Sequence, residues 1–215
     1  MIHVLLVEDH ASFRQPFAYM LEREPEITVV GQAGSLADAR RLLAGVDLAI
    51  IDLDLPDGCG VELIKELRAS NPHGKALILT ASASREQWAR AVEAGASGAL
   101  HKSLGLEEVI SVIRRLGAGE AVFSPDELIT LLRLAAERRE QDLDAQAMLA
   151  RLTPRERAVL QVLAHGLNDK QMAERLQITT ETVRTHMVNI FDKLDVDSRL
   201  QALVFAVRHG VVEIR

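Results

Sequence analysis

The stretch Asp47–Gly60 reads DLAIIDLDLPDGCG. An apolar run of strand length breaks off at Asp52, and carboxylates, a proline and two glycines follow at once. A continuous apolar run closed by turn residues marks a strand buried on both faces. The run, Asp47–Asp52, has counterparts on either side. Ile2–Val7 (IHVLLV), Ile27–Ala33, Lys75–Thr80 (KALILT) and Gly98–Lys102 read as four further strands. Between them Phe13, Phe17, Met20 and Leu21 recur at helical spacing, as do Val61, Leu63, Ile64 and Leu67. Pro16 reads as near the first turn of its helix, where a missing N–H costs little. Ser35 with Asp38, and Ser84 with Gln87, have N-cap spacing. Strands alternating with helices over residues 1–120 predict an α/β domain built on a five-stranded, doubly wound parallel sheet.

Ligands of such sheets bind outside the carboxyl ends of the strands. Glu8 and Asp9 follow the first strand, Asp52 ends the third, Thr80 the fourth and Lys102 the fifth. Carboxylates brought together repel one another, and a divalent cation is the usual relief. An oxygen-only set without a cysteine or histidine cluster favours Mg²⁺. A lysine and a threonine hydroxyl opposite the cation complete a pocket of phosphate size, and attack by Asp52 on a phosphoryl donor gives an aspartyl phosphate.

The remainder of the chain is helical. Asp126–Arg139 places Leu128, Leu131, Leu132 and Ala135 on one face, and the polar Glu140–Ala145 reads as a flexible joint. Periodicity leaves open which domain this arm docks on. Thr153-Pro154-Arg155-Glu156 is a capping box with proline at the first helical position, and Gly166 stops that helix. A short helix over Lys170–Leu176, a third capped by Thr179 and running over 180–194, and a fourth over Ser198–His209 ended by Gly210 complete a four-helix, helix-turn-helix domain. In the third helix Val183, Met187, Ile190 and Leu194 form a face to bury against Leu160, Leu163, Met172 and Leu176. The opposite face shows Arg184, Thr185, Val188 and Asn189. Arg184 is placed for guanine edges, and Thr185 or Val188 for a thymine methyl. Periodicity alone also allows, as the lesser alternative, a protein-binding helical module.

Composition narrows the classes. One cysteine, Cys59, excludes a disulfide framework and a zinc site built on several cysteines. Aromatic residues at 3% argue against base stacking on single-stranded nucleic acid. No apolar run has the length of a membrane span and no basic leader precedes one, so a cytoplasmic protein without membrane contact is expected. Lys and Arg number 12 against 17 Asp and Glu in residues 1–120, 3 against 6 in 121–149, and 10 against 8 in 150–215. Only the last segment is basic, which favours anionic partners there.

The strings Val4–His10 (VLLVEDH), Ile50–Gly60 (IIDLDLPDGCG), Ile78–Thr80 and the lysine in Gly98–Ser103 resemble a response-regulator receiver domain, a flavodoxin-like fold. LTPRERAVLQVLAHGLNDKQMAERLQITTETVRTHMVNIFDKL resembles a LuxR-type helix-turn-helix. Together the chain resembles a two-component response regulator of the NarL/FixJ class, with a receiver at 1–120, a helical linker at 121–149 and a DNA-binding domain at 150–215. The resemblance implies that Asp52 is the phospho-acceptor, that Asp9 ligates Mg²⁺ directly and Glu8 through water, and that Asp54 offers its backbone carbonyl. It implies that Thr80 and Lys102 engage the phosphoryl group. Arg184, Thr185 and Val188 would face bases, while Lys170, Thr182 and His186 would lie near phosphates. The last helix, with Leu200, Leu203 and Val204, would be a homodimer surface. Implied partners are a sensor histidine kinase, double-stranded DNA and RNA polymerase, and the chain would not be an enzyme in the metabolic sense.

One departure and one competing resemblance bear on mechanism. Many receivers carry Tyr or Phe three residues before the lysine; here the residue is Ala99. Activation would then pass through Thr80 and the backbone of Ala81–Ser84, or the regulator would act through protein partners without phosphate. Asp52-Leu53-Asp54 also resembles the DxD motif of haloacid-dehalogenase-type phosphatases. That family places the motif after the first strand, followed by glycine or threonine; here it follows the third, and Leu55-Pro56 comes next.

Overall fold

The computed structural model describes residues 1–82 and 84–212. It divides into two compact units, Met1–Glu137 and Arg138–Arg215. In the first, strands β1 (Ile2–Val7), β2 (Ile27–Ala33), β3 (Leu48–Ile51), β4 (Lys75–Thr80) and β5 (Gly98–His101) form one parallel sheet in the order β2-β1-β3-β4-β5. Helices α1 (Ala11–Leu21), α2 (Leu36–Arg40), α3 (Val61–Ser70), α4 (Arg85–Ala94) and α5 (Leu106–Gly117) alternate with the strands.

Side chains alternate across a strand, so each apolar run feeds two cores. Leu5, Val7, Ala49, Ile51, Ala76 and Ile78 join α2 and α3 through Leu36, Leu63, Ile64 and Leu67. Val4, Leu6, Leu48, Ile50, Leu77 and Leu79 join α1 and α5 through Phe17, Leu21, Ile110 and Ile113. The strand order reverses between β1 and β3, and the crevice at their carboxyl ends is where such sheets take ligands.

Two local features differ from the sequence reading, and a third extends it. Pro16 is the sixth residue of α1, not part of its first turn. Its ring removes one helical hydrogen bond, and burial of Phe17, Ala18 and Leu21 in the same helix offsets the loss. A two-residue antiparallel ladder, Asp54–Leu55 with Gly58–Cys59, closes the loop after β3. Ser35 caps α2 as its spacing predicts, and the Asp57 carboxylate also accepts from the amides of Leu36 (2.8 Å) and Ala37 (2.9 Å), which holds its pKa below the usual value.

Helix α6 runs unbroken over Pro125–Ala150, through the stretch read as a joint. Glu140–Ala145 contains good helix formers, and i,i+4 ion pairs Arg133–Glu137 and Arg138–Asp142 support the helix up to and into this stretch. In the first unit Leu131 and Ala135 bury against Ala89 and Val92 of α4, flanked by Trp88 and Phe123. Leu128 and Leu132, expected on the same inner face, are exposed.

The second unit continues with α7 (Pro154–Ala164), α8 (Asp169–Leu176), α9 (Thr180–Leu194) and α10 (Arg199–Arg208). Val183, Met187, Ile190 and Leu194 of α9 bury in one core with Leu160, Leu163 and Met172, and Leu176 packs on its edge. The tight α8–α9 turn takes Gln177 into the left-handed region (φ 54°), and the Ile178 amide closes back on the Ala173 carbonyl at 3.0 Å. Thr179 then caps α9 by accepting from the Thr182 amide.

Candidate functional site

Among the described residues Glu8, Asp52 and Thr80 are the buried polar side chains of the first unit, and all three stand at carboxyl ends of the sheet. β1 ends at Val7, so Glu8 and Asp9 emerge at the crevice; Asp52 follows β3 directly, and its amide donates to the Val7 carbonyl at 2.9 Å. The chain folds tightly over this point. A Cβ on Gly60 would collide with the Asp52 backbone carbonyl and with Ile51, so the loop closes there only with glycine.

Lys102 reaches in from the end of β5. Its Nζ lies 2.5 Å from Asp52 Oδ2 and 2.5 Å from Glu8 Oε2, and 5.3 Å from the Phe13 ring centroid. Burial works to lower the lysine pKa, but the hydrogen bonds and charges of Asp52 and Glu8 outweigh it and hold the pKa above the ordinary 10.5. The ammonium is therefore charged at any working pH. The Asp54 amide donates to Asp52 Oδ1 at 3.4 Å.

Asp9 and His10 form the outer rim. His10 Nδ1 lies 3.1 Å from Glu8 Oε1 and 2.6 Å from Asp9 Oδ1, and the hydrogen bond to Glu8 with the Asp9 charge raises its pKa from the ordinary 6.5. Ligating atoms of Glu8, Asp9 and His10 lie within 4.8 Å of one another; Asp52 is turned to Lys102 instead. His10 was not singled out from the sequence, although it is the third residue of the Glu8-Asp9-His10 run. Asp9 Oδ1 is buried, and the His10 ring nitrogen 2.6 Å away meets it as a charge contact without hydrogen-bond geometry. With three carboxylates and no thiol, the donor set fits Mg²⁺.

Thr80 is fully buried at the end of β4, and its Oγ1 accepts from the Ser82 amide at 3.2 Å. Its carbonyl accepts from the Lys102 amide at 2.9 Å. His101 makes a link that sequence reasoning missed: Nε2–H donates to the Ala81 carbonyl at 2.8 Å, and Nδ1 lies 2.6 Å from Ser103 Oγ. Two adjacent residues at the end of β5 thus hold the segment after β4. Ala83, within the Ala81–Ser84 segment, lies outside the described residues. Ala99 is buried in the core shared with Trp88 and Phe123.

In the second unit Arg184, Thr185 and Val188 lie on the exposed face of α9, Lys170 is exposed on α8, and Thr182 and His186 are half-buried. Arg184 is not free. Its guanidinium lies 3.4 Å from Asp169 and 3.7 Å from Glu181, while Arg199 holds the other Asp169 oxygen at 2.5 Å. Burial works to raise the Asp169 pKa, but the two arginines prevail and lower it. Thr185 Oγ1 donates to the Glu181 carbonyl, and Thr182 and Thr179 hydroxyls meet at 2.8 Å. Glu156, the reciprocal member of the Thr153 capping box, is buried and also accepts from Lys193 of α9 at 2.7 Å. The box was legible in the sequence; its grip on α9 was not.

Two families match the chain: the response regulator receiver domain over residues 4–114, and the bacterial regulatory proteins of the luxR family over residues 150–206. The DNA-binding transcriptional activator DevR/DosR of Mycobacterium tuberculosis is 37% identical over 211 residues, 96% of this chain and 94% of the relative. The nitrate/nitrite response regulator protein NarL of Escherichia coli is 33% identical over 204 residues, 94% of this chain and 93% of NarL. A solved two-component response regulator of the LuxR family from Aurantimonas sp. SI85-9A1 matches at 32% identity and TM-score 0.53, over 64% of this chain and 96% of that one. RcsB of Salmonella enterica serovar Typhimurium shares the fold at 20% identity and TM-score 0.52, over 95% of this chain and 97% of its own.

Proposed function

The chain belongs to the NarL/FixJ class of two-component response regulators, DNA-binding transcriptional regulators, and from that premise we propose that phosphorylation of Asp52 by a sensor histidine kinase controls its binding to double-stranded DNA as a dimer. On this reading residues 1–120 are the receiver, 121–149 a helical linker and 150–215 the DNA-binding domain. The protein works in the cytoplasm and meets RNA polymerase at the promoter. Among the described residues no helix is long and apolar enough to cross a membrane.

The observation that carries this reading is the half-buried Lys102 ammonium held 2.5 Å from both Asp52 and Glu8. An Asp52 oxygen attacks the phosphorus of the donor phosphohistidine; a P–O bond forms, the P–N bond breaks and the histidine leaves. Lys102 keeps its charge throughout and stands where negative charge accumulates on the transferred group. Asp9, Asp52 and the Asp54 carbonyl would hold Mg²⁺, with Glu8 through water, and the bound ion would supply charge neutralisation for carboxylates and phosphoryl oxygens. Thr80 places a hydroxyl at the same edge, and its backbone is joined to Lys102 and, through Ala81, to His101. Transmission without an aromatic at 99 would use these links. Arg184, Thr185 and Val188 would read bases, and Lys170, Thr182 and His186 would contact phosphates.

The test is incubation with acetyl phosphate and Mg²⁺ followed by intact mass and solution size. The expected result is one phosphoryl adduct and a shift to dimer, both absent in Asp52→Asn. An adduct of equal yield in Asp52→Asn would overturn the assignment.

A further inference from the structure

Helix α10 carries more apolar surface than its own core uses. Leu200, Val204 and Val207 are 70%, 57% and 37% exposed, at helical spacing on one outer face. Beside this ridge lies a groove of about 510 Å³, walled by α10 on one side and by the last turns of α6, including Ala145 and Met148, on the other. Charges of both signs line it. Asp144 stands on the α6 wall and Arg208 on the α10 wall. Among the described residues neither side chain has an ion-pair or hydrogen-bond partner, although nearby Asp142 is paired with Arg138.

We propose that the α10 ridge of a second copy of this chain seats in this groove, so that α6 forms half of the dimer contact. The inference rests on the reading that α10 is the dimer surface. It adds the receiving wall, which no resemblance supplies. Ridge and groove share helix α10, so one two-fold axis can place each ridge in the other copy's groove at the same time. The same rotation carries Arg208 of one copy to Asp144 of the other, which satisfies both pairs of charges in one step. A groove that took an unrelated ligand would have no reason to carry the complement of its own neighbouring ridge.

The experiment is sedimentation of the full chain after acetyl phosphate and Mg²⁺, with the adduct verified by mass and folding by circular dichroism. Asp144→Arg alone and Arg208→Asp alone are each expected to weaken dimerisation at least tenfold, because each homodimer opposes like charges. An equimolar mixture of the two variants is expected to dimerise as the unaltered chain does, because both pairs are then opposite in sign. Leu200→Asp is expected to dissociate the dimer. If Leu200→Asp dissociates it while Asp144→Arg does not, or if the mixture stays monomeric, the groove is not the receiving wall and the α10 dimer stands. If Leu200→Asp leaves the dimer intact, α10 is not the contact and both readings fall.

Discussion

Lys102 and Arg184 each lie between two carboxylates, and on the proposed function their difference separates a switch from a reader. Lys102 sits 2.5 Å from Asp52 and from Glu8, with both acids almost wholly removed from water. Arg184 sits 3.4 Å from Asp169 and 3.7 Å from Glu181, with its own side chain 63% exposed. Coulomb attraction scales inversely with both distance and local dielectric, so the first arrangement is the stronger. It is also the more demanding, because without the lysine Asp52 is a buried, unpaired charge and Glu8 is left with the exposed His10. The exposed pair is screened by water and salt, and the arginine can exchange its acids for a guanine edge or a phosphate at little loss. On the proposed function one constellation is altered by covalent chemistry and the other is displaced by a ligand.

The sharpest way to break the contrast is to remove both cations in turn. Lys102→Met is expected to destabilise the chain by about 3 kcal/mol in urea unfolding without Mg²⁺, since two buried carboxylates lose their partner. Added Mg²⁺ should recover part of that loss. Folding raises the Lys102 pKa, so its contribution is complete below the ordinary 10.5 and is lost as pH rises through the higher folded value. A Lys102→Met variant as stable as the parent in metal-free urea would place the lysine outside the electrostatics of the pocket.

Arg184→Ala should leave unfolding unchanged within about 0.5 kcal/mol. Its effect belongs in DNA titrations, where it is expected to cost about 2 kcal/mol at the cognate base and little on random sequence. Equal losses on both DNAs would remove Arg184 from base reading.

Glu156→Gln sharpens the comparison from a third position, a buried acid with a single lysine. Burial opposes ionisation of Glu156, but Lys193 and the Thr153 amide and hydroxyl prevail and lower its pKa from the ordinary 4.5. The sign is therefore opposite to that of Lys102: stability is present above 4.5 and lost as pH falls through the lower folded value. The substitution should cost about 1.5 kcal/mol at neutral pH and flatten the acid limb of the unfolding curve. Thermal melts between acid and neutral pH read it directly.

The smallest effect is expected from Asp169→Asn. It releases Arg184 and Arg199 from one carboxylate and removes a negative charge beside the recognition face. DNA affinity should rise by about 0.5 kcal/mol at low salt, on the scale of an exposed ion pair, and the gain should shrink as salt is added. A fall in affinity would instead make Asp169 the group that positions Arg184.

Strand and helix order, the placing of Glu8, Asp9, Asp52, Thr80 and Lys102 at one edge, and the caps at Ser35, Ser84, Thr153 and Thr179 were all determined by the sequence alone. Each rests on local rules: alternation across a strand, helical periodicity, and side-chain oxygens closing amides three residues on. Tertiary structure alone decided which partners those residues take. Lys102 meets an acid 50 positions earlier, Lys193 an acid 37 positions earlier, and Arg184 shares Asp169 with Arg199. His101 turned to Ala81, His10 closed on Glu8 and Asp9, and the supposed joint in α6 became continuous helix. None of these is written in spacing along the chain. They follow from which surfaces the packed strands and helices bring within a few ångström, and at that range charge and hydrogen bonding choose the partner.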